Sequence, residues 1–254
     1  MDLGLDGKVA IVTGGARGIG RGVATVLHAE GARVVVADVD RDGAVATAKD
    51  LGLAGAYGCD VRVEEQVRSL VDAVAVEHGG LDIVVSNAGI CSLSPVTQMP
   101  YGLWRDLMAV NLDGTFLVLK YAGGYLAGHG GGAIVVVASI AGWKGWPGVG
   151  HYAASKAAVL SLVQTVALEL KPAGVRVNAV CPGMIDTQLA TDMVADYGTV
   201  LGVVDAETLL VGRQGRYGRP EEIGDVVAFL ASERAELVSG SAYVVDSALT
   251  AGQL

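Results

Sequence analysis

Short apolar runs alternate along the chain with longer stretches in which apolar residues recur at helical spacing. Runs such as residues 33–37 and 133–138 are dominated by Val and Ala, which is typical of parallel strands buried on both faces. Residues 64–78 instead place Val67, Leu70 and Val74 on one helical face. The predicted strands are residues 8–13, 33–37, 54–59, 82–86, 133–138, 175–180 and 242–245. The predicted helices run from the end of the turn at Gly20 to about residue 30 and over residues 43–51, 64–78, 101–126, 152–170 and 220–231.

This alternation predicts an α/β fold, a doubly wound parallel sheet of the Rossmann-like kind. It has about seven strands and helices on both faces. No linker or repeat divides the sequence, so we expect a single domain over residues 1–254. Residues 184–219 interrupt the rhythm and are too long for an ordinary connection. We therefore expect this segment to form a lid over a functional site.

Composition narrows the function classes. Apolar residues make up 52% and charged residues 18% of the chain, which excludes a disordered protein. The net charge of -9 and the lack of a basic stripe argue against a nucleic-acid partner. No apolar run approaches the roughly 20 residues that span a bilayer, so we expect no membrane partner. The three cysteines are Cys59, Cys91 and Cys181, and their spacing is not that of a metal site, so we expect no metal. We expect them to be free thiols, as in a cytoplasmic protein.

A glycine-rich turn joins the first predicted strand to the first predicted helix. Gly14, Gly18 and Gly20 allow a sharp turn and a close approach to a pyrophosphate, which the free N–H groups at the helix start would bind. Asp38 ends the second strand about 20 residues later, where a carboxylate accepts hydrogen bonds from ribose hydroxyls and repels a 2′-phosphate. Arg17 would favour a 2′-phosphate, but Asp38 lies closer to the ribose. The prediction is NAD(H) in preference to NADP(H).

Three further side chains suggest carbonyl chemistry. Tyr152 and Lys156 are four residues apart and share one helical face. A tyrosine is a poor acid-base group at neutral pH unless its phenolate is stabilised, and the Lys156 ammonium can supply that stabilisation. Ser139 ends the fifth predicted strand, where doubly wound sheets place ligands, and can donate to a substrate oxygen.

Together these residues resemble the compact, single-domain branch of the short-chain dehydrogenase/reductase family. The motifs that carry the resemblance are residues 13–20, Asp38, Asn87-Ala88-Gly89, Asn111, Ser139, Tyr152-Ala-Ala-Ser-Lys156 and Pro182-Gly183. The resemblance extends from Leu5 to Asp246 and implies one domain that binds the dinucleotide and carries out catalysis. It implies an oxidoreductase that transfers a hydride between NAD(H) and a secondary alcohol or ketone.

The resemblance also implies the roles of individual residues. Tyr152 is the expected catalytic acid-base, Lys156 lowers its pKa and binds the nicotinamide ribose, Ser139 polarises the substrate oxygen, and Asn111 holds a water that relays protons. The other residues expected to contact the cofactor are Gly14, Arg17, Gly18, Ile19, Gly20, Asp38, Asp60, Val61, Asn87, Ala88, Gly89, Pro182, Gly183, Ile185 and Thr187. Among these, Asp60 and Val61 would contact the adenine, and Ile185 and Thr187 the carboxamide.

The sequence departs from the family pattern at its last strand. The family often has Val-Asp-Gly-Gly there, whereas this chain has Val245-Asp246-Ser247-Ala248. Because that segment supports subunit contacts and the rear of the site, the departure concerns tail packing and assembly. The resemblance implies a homotetramer in which helices 101–126 and 152–170 pack across a two-fold axis.

The substrate is expected to be a medium-sized, mostly apolar alcohol or ketone. The lid segment is rich in apolar residues, and Trp143, Trp146, His151 and Met184 are candidate substrate contacts. The alternative is an NADPH-dependent 3-oxoacyl-carrier-protein reductase, against which Asp38 and the acidic net charge argue. A dinucleotide sensor without catalysis is a third hypothesis, but such a protein should lack Tyr152 or Lys156.

Overall fold

A computed structural model describes residues 2–252 of the chain. Its centre is a seven-stranded sheet in which all neighbouring strands are parallel, in the order β3-β2-β1-β4-β5-β6-β7. The strands are β1 (Val9–Thr13), β2 (Arg33–Asp38), β3 (Gly55–Gly58), β4 (Ile83–Ser86), β5 (Gly132–Val137), β6 (Val175–Pro182) and β7 (Ala242–Val245). The predicted doubly wound fold is confirmed, and each predicted strand is present to within two residues at either end.

Helices cover both faces of the sheet. They are α1 (Gly18–Ala29), α2 (Arg41–Leu51), α3 (Glu64–His78), α4 (Tyr101–Met108), α5 (Gly114–Gly128), α6 (Gly150–Leu170), α7 (Gln188–Leu201), α8 (Ala206–Leu210) and α9 (Pro220–Ala231). Apolar side chains of α1, α2 and α9 pack on one face, and those of α3, α5 and α6 pack on the other. Because both faces are covered, the central strands are buried along their length, as their apolar sequences predicted.

The prediction of one continuous helix over residues 101–126 is wrong. The structure ends α4 at Met108, inserts a π-helical turn over Ala109–Asp113, and then begins α5. Periodicity cannot reveal such a turn, because one wider turn shifts the apolar face without interrupting it. Single π turns inside helices are frequent at functional sites, and this one carries Asn111.

The segment over residues 184–219 contains two helices, α7 and α8, which the sequence analysis did not predict. Their apolar side chains, among them Tyr197 and Leu210, form a third, smaller cluster with Met184 and other residues from outside these helices. We call this the lid cluster. Its contacts with Trp146 and Tyr152 place it above the carboxyl ends of the strands.

Helix α6 is unusually apolar. Together with the turn that follows, it forms the stretch Gly150–Ala173, which is long and apolar enough to cross a bilayer by length and composition alone. A core helix of a globular protein has the same features, and Val159 and Val163 of α6 are buried against the sheet. Leu168 lies on the outward side and is 75% exposed.

Candidate functional site

A cavity of about 660 Å³ opens at the carboxyl ends of the strands. It lies where the strand order reverses between β1 and β4, the position at which doubly wound sheets bind ligands. The predicted residues that line it are Gly14, Arg17, Gly18, Ile19, Asp38, Asp60, Val61, Asn87, Ala88, Gly89, Ser139, Trp146, Tyr152, Lys156, Pro182, Gly183, Met184, Ile185 and Thr187. The fold thus brings together in space motifs that are far apart along the chain.

The glycine turn brings the start of α1 close to the end of β1. Gly14 has a φ of 65°, and a Cβ there would lie 2.8 Å from the Ala88 Cα. A Cβ on Gly20 would lie 2.0 Å from the Gly14 carbonyl oxygen, so any larger residue would push α1 away. Gly20 therefore lies behind the cavity wall and permits the close packing on which the turn depends.

The N-terminus of α1 faces the cavity with its N–H groups free. Within residues 2–252, no side chain caps this helix at Arg17. An uncapped helix start leaves backbone donors and the positive end of the helix dipole available to an anion. The turn therefore fits the pyrophosphate of a dinucleotide, because these donors can bind its negative charge.

Asn87 fixes the turn to the neighbouring strand. Its Nδ2 donates to the carbonyl oxygens of Thr13 and Gly14 at 2.9 and 3.0 Å. The Thr13 hydroxyl in turn accepts from the N–H groups of Asn87 and Ala88 at 3.0 and 3.2 Å. The Asn87 side chain is thus engaged in holding β1 and β4 in register at the switch point.

Two carboxylates lie at the predicted adenosine end. Asp38 accepts from the backbone N–H groups of Ala16 and Asp40, both at 3.0 Å. These bonds hold the carboxylate at the cavity wall and leave lone pairs for ribose hydroxyls. Asp60 is paired with Arg62 through both oxygens, and this hydrogen bonding holds the pKa of Asp60 below its ordinary value.

Ser139, Tyr152 and Lys156 converge at the other end of the cavity. Ser139 caps a short 3₁₀ turn, and its Oγ accepts from the Ala141 N–H at 3.1 Å. The Lys156 Nζ donates to the Val137 carbonyl oxygen at 2.9 Å and lies 5.7 Å from the centre of the Tyr152 ring. At that distance the ammonium favours ionisation of the phenol.

Burial acts on the two titrating groups in opposite directions. It raises the pKa of the Tyr152 phenol above its ordinary value, and the nearby Ser139 hydroxyl opposes only part of this rise. Burial also lowers the pKa of Lys156 to about 8. Both shifts disfavour charge, so the predicted lowering of the Tyr152 pKa depends on positive charge beside the phenol.

Asn111 lies behind the cavity wall and is fully buried. Its Oδ1 accepts from the Ile90 N–H and its Nδ2 donates to the Ile90 carbonyl oxygen, both at 2.9 Å. Its Nδ2 also donates to the Ser155 hydroxyl of α6 at 3.4 Å. A Cβ on Gly89 would lie 3.4 Å from Asn111 Oδ1 and 3.7 Å from Lys156 Nζ. Asn111 and Lys156 therefore both lie beside Gly89, as a proton relay between them requires.

Two predicted substrate contacts lie outside the cavity. Trp143 is 54% exposed, and His151 is fully buried with its Nε2 bonded to the Ser92 hydroxyl at 2.9 Å. The helix that carries Tyr152 turns the neighbouring His151 side chain away from the cavity, because adjacent helical residues point in different directions. Trp146 and Met184 do line the cavity.

The cavity wall near Tyr152 is apolar. Within the described structure, the lid-cluster residues that line the cavity besides Tyr152 are Cys91, Trp146, Val149, Met184, Ala190, Met193, Tyr197 and Leu210, all uncharged. The one charged residue of the lid segment that lines the cavity within residues 2–252 is Asp186. The Tyr197 hydroxyl donates to the Pro147 carbonyl oxygen at 2.8 Å, so its polar atom is already engaged. Burial raises the pKa of the Cys91 thiol to about 12, which leaves it protonated at neutral pH.

Sequence reasoning missed several residues at this site, of which three are informative. Arg62 and Leu249 line the cavity, and Gln214 lies behind it with its amide bonded to Met184. None belongs to a motif. Only the position of Arg62 two residues after Asp60 offered a signal, because the other two reach the site through turns that the sequence does not specify.

Comparisons with known proteins agree with this arrangement. A family profile described as enoyl-(acyl carrier protein) reductase matches residues 14–250. Cis-4-hydroxycyclohexanecarboxylate dehydrogenase of Sinomonas cyclohexanicum is 39% identical over 96% of this chain and 97% of its own. 3-Oxoacyl-[acyl-carrier-protein] reductase of Thermotoga maritima is 35% identical over 96% of this chain and 98% of its own. Further relatives are named as dehydrogenases of polyols and of cyclohexanol.

Solved structures show the same fold. The crystal structure of an NAD⁺-bound xylitol dehydrogenase superimposes with a TM-score of 0.90 and is 31% identical. The superposition covers 96% of this chain and 99% of that one. The structural similarity therefore extends over nearly the whole chain.

Proposed function

Because the chain belongs to the short-chain dehydrogenase/reductase family, we propose that it interconverts a secondary alcohol and the corresponding ketone with NAD(H) bound in the cavity. The observation that carries this proposal is the convergence of Ser139, Tyr152 and Lys156 at one end of a cavity whose other end is the uncapped start of α1. Oxidation of alcohols is also the activity named for its dehydrogenase relatives.

The chain's own residues have distinct parts in this reaction. When bound, the dinucleotide would supply the hydride acceptor for oxidation of the alcohol and the hydride donor for reduction of the ketone. Tyr152 takes the alcohol proton or returns it to the ketone oxygen, and Ser139 donates a hydrogen bond to the same oxygen. Lys156 places a positive charge beside the phenol, and Asn111 orients a proton path behind it. Gly14, Gly18 and Ile19 would hold the pyrophosphate at the start of α1.

Asp38 supports NAD(H) as the cofactor. Its carboxylate is fixed at the cavity wall by two backbone N–H groups, so it cannot turn away from a 2′-phosphate. Arg17 and Arg62 also line the cavity, but Arg17 is exposed and Arg62 is paired with Asp60, so solvent and Asp60 compete with a 2′-phosphate for these guanidinium groups. NAD(H) should therefore bind more tightly than NADP(H).

The apolar lid cluster supports a medium-sized, uncharged and mostly apolar substrate. Lining residues such as Trp146, Met184 and Leu210 offer no partner for a carboxylate or a phosphate. An alicyclic alcohol buries its ring against such a wall and loses little hydration. A linear polyol would leave hydroxyl groups unpaired against the same wall, at a cost for each.

The second candidate function is an NADPH-dependent 3-oxoacyl-carrier-protein reductase. The matched family profile and one relative carry names of this kind. The fixed Asp38 carboxylate and the net charge of -9 oppose NADPH and an acidic carrier protein. Preference for NADPH, with an acyl-thioester ketone as the best substrate, would decide for this candidate.

The test is turnover of a panel of alcohols and ketones with NAD(H) and NADP(H), followed through absorbance of the reduced nicotinamide. Tyr152→Phe should lower kcat by about 10³-fold, since general acid-base catalysis contributes that much, while NADH affinity changes little. Tyr101→Phe is the matched control, because that side chain is 74% exposed and lies outside the cavity. Unchanged turnover in Tyr152→Phe would refute the proposal.

We also propose a homotetramer that works in the cytoplasm. Phe116 on α5 and Leu168 on α6 are 46% and 75% exposed, and apolar side chains on these faces fit a contact between subunits. The three cysteines carry free thiols, as expected in a reducing compartment. Light scattering tests the assembly, and a stable monomer would contradict it.

A further inference from the structure

Gln214 is a buried amide that takes no part in the proposed reaction. It is 6% exposed and follows α8, where its backbone N–H donates to the Val211 carbonyl oxygen at 2.9 Å. Its side chain makes three further bonds. Oε1 accepts from the Met184 N–H at 2.8 Å, and Nε2 donates to the carbonyl oxygens of Met184 at 2.7 Å and Arg216 at 2.9 Å.

These bonds join the later part of the lid segment to its first residue, Met184, just beyond the end of β6. Met184 follows the Pro182-Gly183 pair, and both Gly183 and Met184 line the cavity. The Gln214 amide pairs with both backbone groups of Met184, much as a neighbouring strand would. The end of α8 and the cavity wall are therefore linked through this side chain. The Gly218 backbone adds a second link, since it donates to the Met184 carbonyl oxygen at 2.9 Å and accepts from the Asp186 N–H at 2.8 Å.

Gly183 shows how closely the amide is fitted. A Cβ on Gly183 would lie 2.2 Å from Gln214 Oε1 and 2.9 Å from the Asp246 Cβ. The backbone at Gly183 is thus enclosed between the amide on one side and the turn after β7 on the other. Its N–H donates to the Val245 carbonyl oxygen at 3.0 Å, which fixes the second side.

We propose that Gln214 is a positioning residue that sets the backbone at Met184, and through it the nicotinamide and substrate end of the cavity. This inference rests on the proposed function, since it assumes that a dinucleotide and an alcohol meet beside Met184. Gln214 touches neither the cavity nor the reacting groups. It acts by holding the Met184 side chain in the lid cluster and by directing the chain toward Ile185 and Thr187.

An amide is needed because the three bonds require both an acceptor and two donors. A carboxylate keeps the bond from the Met184 N–H, but it can donate to neither carbonyl oxygen and is repelled by both. A thioether of similar volume forms none of the three bonds at full strength. Gln214→Met leaves the Met184 N–H without its acceptor, whereas Gln214→Glu sets a carboxylate against two carbonyl oxygens; in both variants the Met184 carbonyl oxygen keeps its bond from the Gly218 N–H. The segment therefore moves to restore the lost hydrogen bond or to relieve the repulsion.

The experiment compares binding of NADH and of ADP-ribose, which lacks the nicotinamide, in Gln214→Met and Gln214→Glu. By calorimetry, both variants should bind NADH about tenfold more weakly, while ADP-ribose affinity stays within about twofold of the wild type. With the best alcohol of the panel, kcat/KM should fall by at least about tenfold, more in Gln214→Glu, and kcat should fall with it. Arg213→Ala is the matched control, since this neighbouring side chain is exposed.

Each other result counts against the inference. Unchanged NADH affinity and turnover in both variants would show that the amide does not position the site. Parallel loss of ADP-ribose and NADH affinity would show that Gln214 supports the whole fold instead. If the wild type binds neither NADH nor ADP-ribose, the proposed function fails as well. If the wild type binds NADH and oxidises the alcohol, and both variants do so equally well, the proposed function stands and only the role of Gln214 fails.

Discussion

The two ends of the cavity are built in different ways. The adenosine end consists of backbone groups and short polar side chains at the ends of β1, β2 and β4, where Asn87 and Asp38 bond directly to the main chain. The substrate end consists of larger side chains from α7, α8 and the loop before α6, packed in the lid cluster. We expect the adenosine end to tolerate few substitutions, because the backbone itself forms its shape. The shape of the substrate end can change with each side chain that is replaced.

Lys156 lies at the junction of the two ends, and its replacement should have the largest effect on activity. Lys156→Met should lower kcat by about 10²–10⁴-fold, because the phenolate of Tyr152 loses its neighbouring charge. Stability should change in the other direction. A buried ammonium whose pKa is lowered to about 8 destabilises the folded state at neutral pH, so the variant should melt at the same temperature or higher.

The pH dependence of that stability difference is a second measurement on the same variant. The unfolded lysine has an ordinary pKa of 10.5, so between pH 8 and 10.5 the unfolded wild type binds more protons than the folded one. The wild-type free energy of unfolding should therefore rise across this window relative to the variant. A difference in melting temperature that stays constant from pH 7 to 10 would contradict the buried ammonium.

Gly20→Ala tests the rigidity of the adenosine end. The new Cβ would lie 2.0 Å from the Gly14 carbonyl oxygen, so α1 must shift away from the turn. We expect a loss of about 1–3 kcal/mol in stability and about 100-fold weaker binding of both NADH and ADP-ribose. Gly102→Ala in α4 is the control, because a Cβ there meets no atom within 4 Å. If Gly20→Ala binds ADP-ribose as tightly as the wild type does, the adenosine end is not the more rigid of the two ends of the cavity.

Trp146→Ala tests the adaptability of the substrate end. Removing this wall should lower kcat/KM for an alicyclic alcohol by about 10- to 100-fold, the range that apolar contacts in a pocket contribute, and leave ADP-ribose affinity unchanged. Trp143→Ala is a matched control, since Trp143 is exposed and lies outside the cavity. Equal losses in the two variants would place the substrate elsewhere.

Ala248→Gly should have the smallest effect. Ser247 and Ala248 have φ values of 47° and 65°, in the left-handed region where a Cβ is unfavourable. They stand where the family often has two glycines. Asp246 closes the turn by accepting from the Thr250 N–H and hydroxyl at 2.9 and 2.6 Å. Replacement by glycine should raise the free energy of unfolding by about 1 kcal/mol, measured by denaturant titration. A loss of stability would mean that the turn is unstrained.

The sequence predicted well where local pattern and structure coincide. Strands such as β5 are apolar throughout because both of their faces are buried, and α3 begins and ends where its apolar spacing does. The predicted family and fold are confirmed, while the roles of the individual site residues stay predictions. The glycine turn, Asp38 and the Tyr152–Lys156 pair were recognisable because each requires a particular residue type at a particular place on one element.

The tertiary structure decided the contacts between segments that no local sequence pattern links. The π turn at Asn111, the helices of the lid, the exclusion of Trp143 and His151 from the cavity, and the bonds from Gln214 to Met184 all depend on how distant segments pack. Periodicity reports which face of an element is buried, but not which neighbour buries it. The chemistry could therefore be predicted from the sequence, whereas the shape of the substrate end could be described only once the chain was folded.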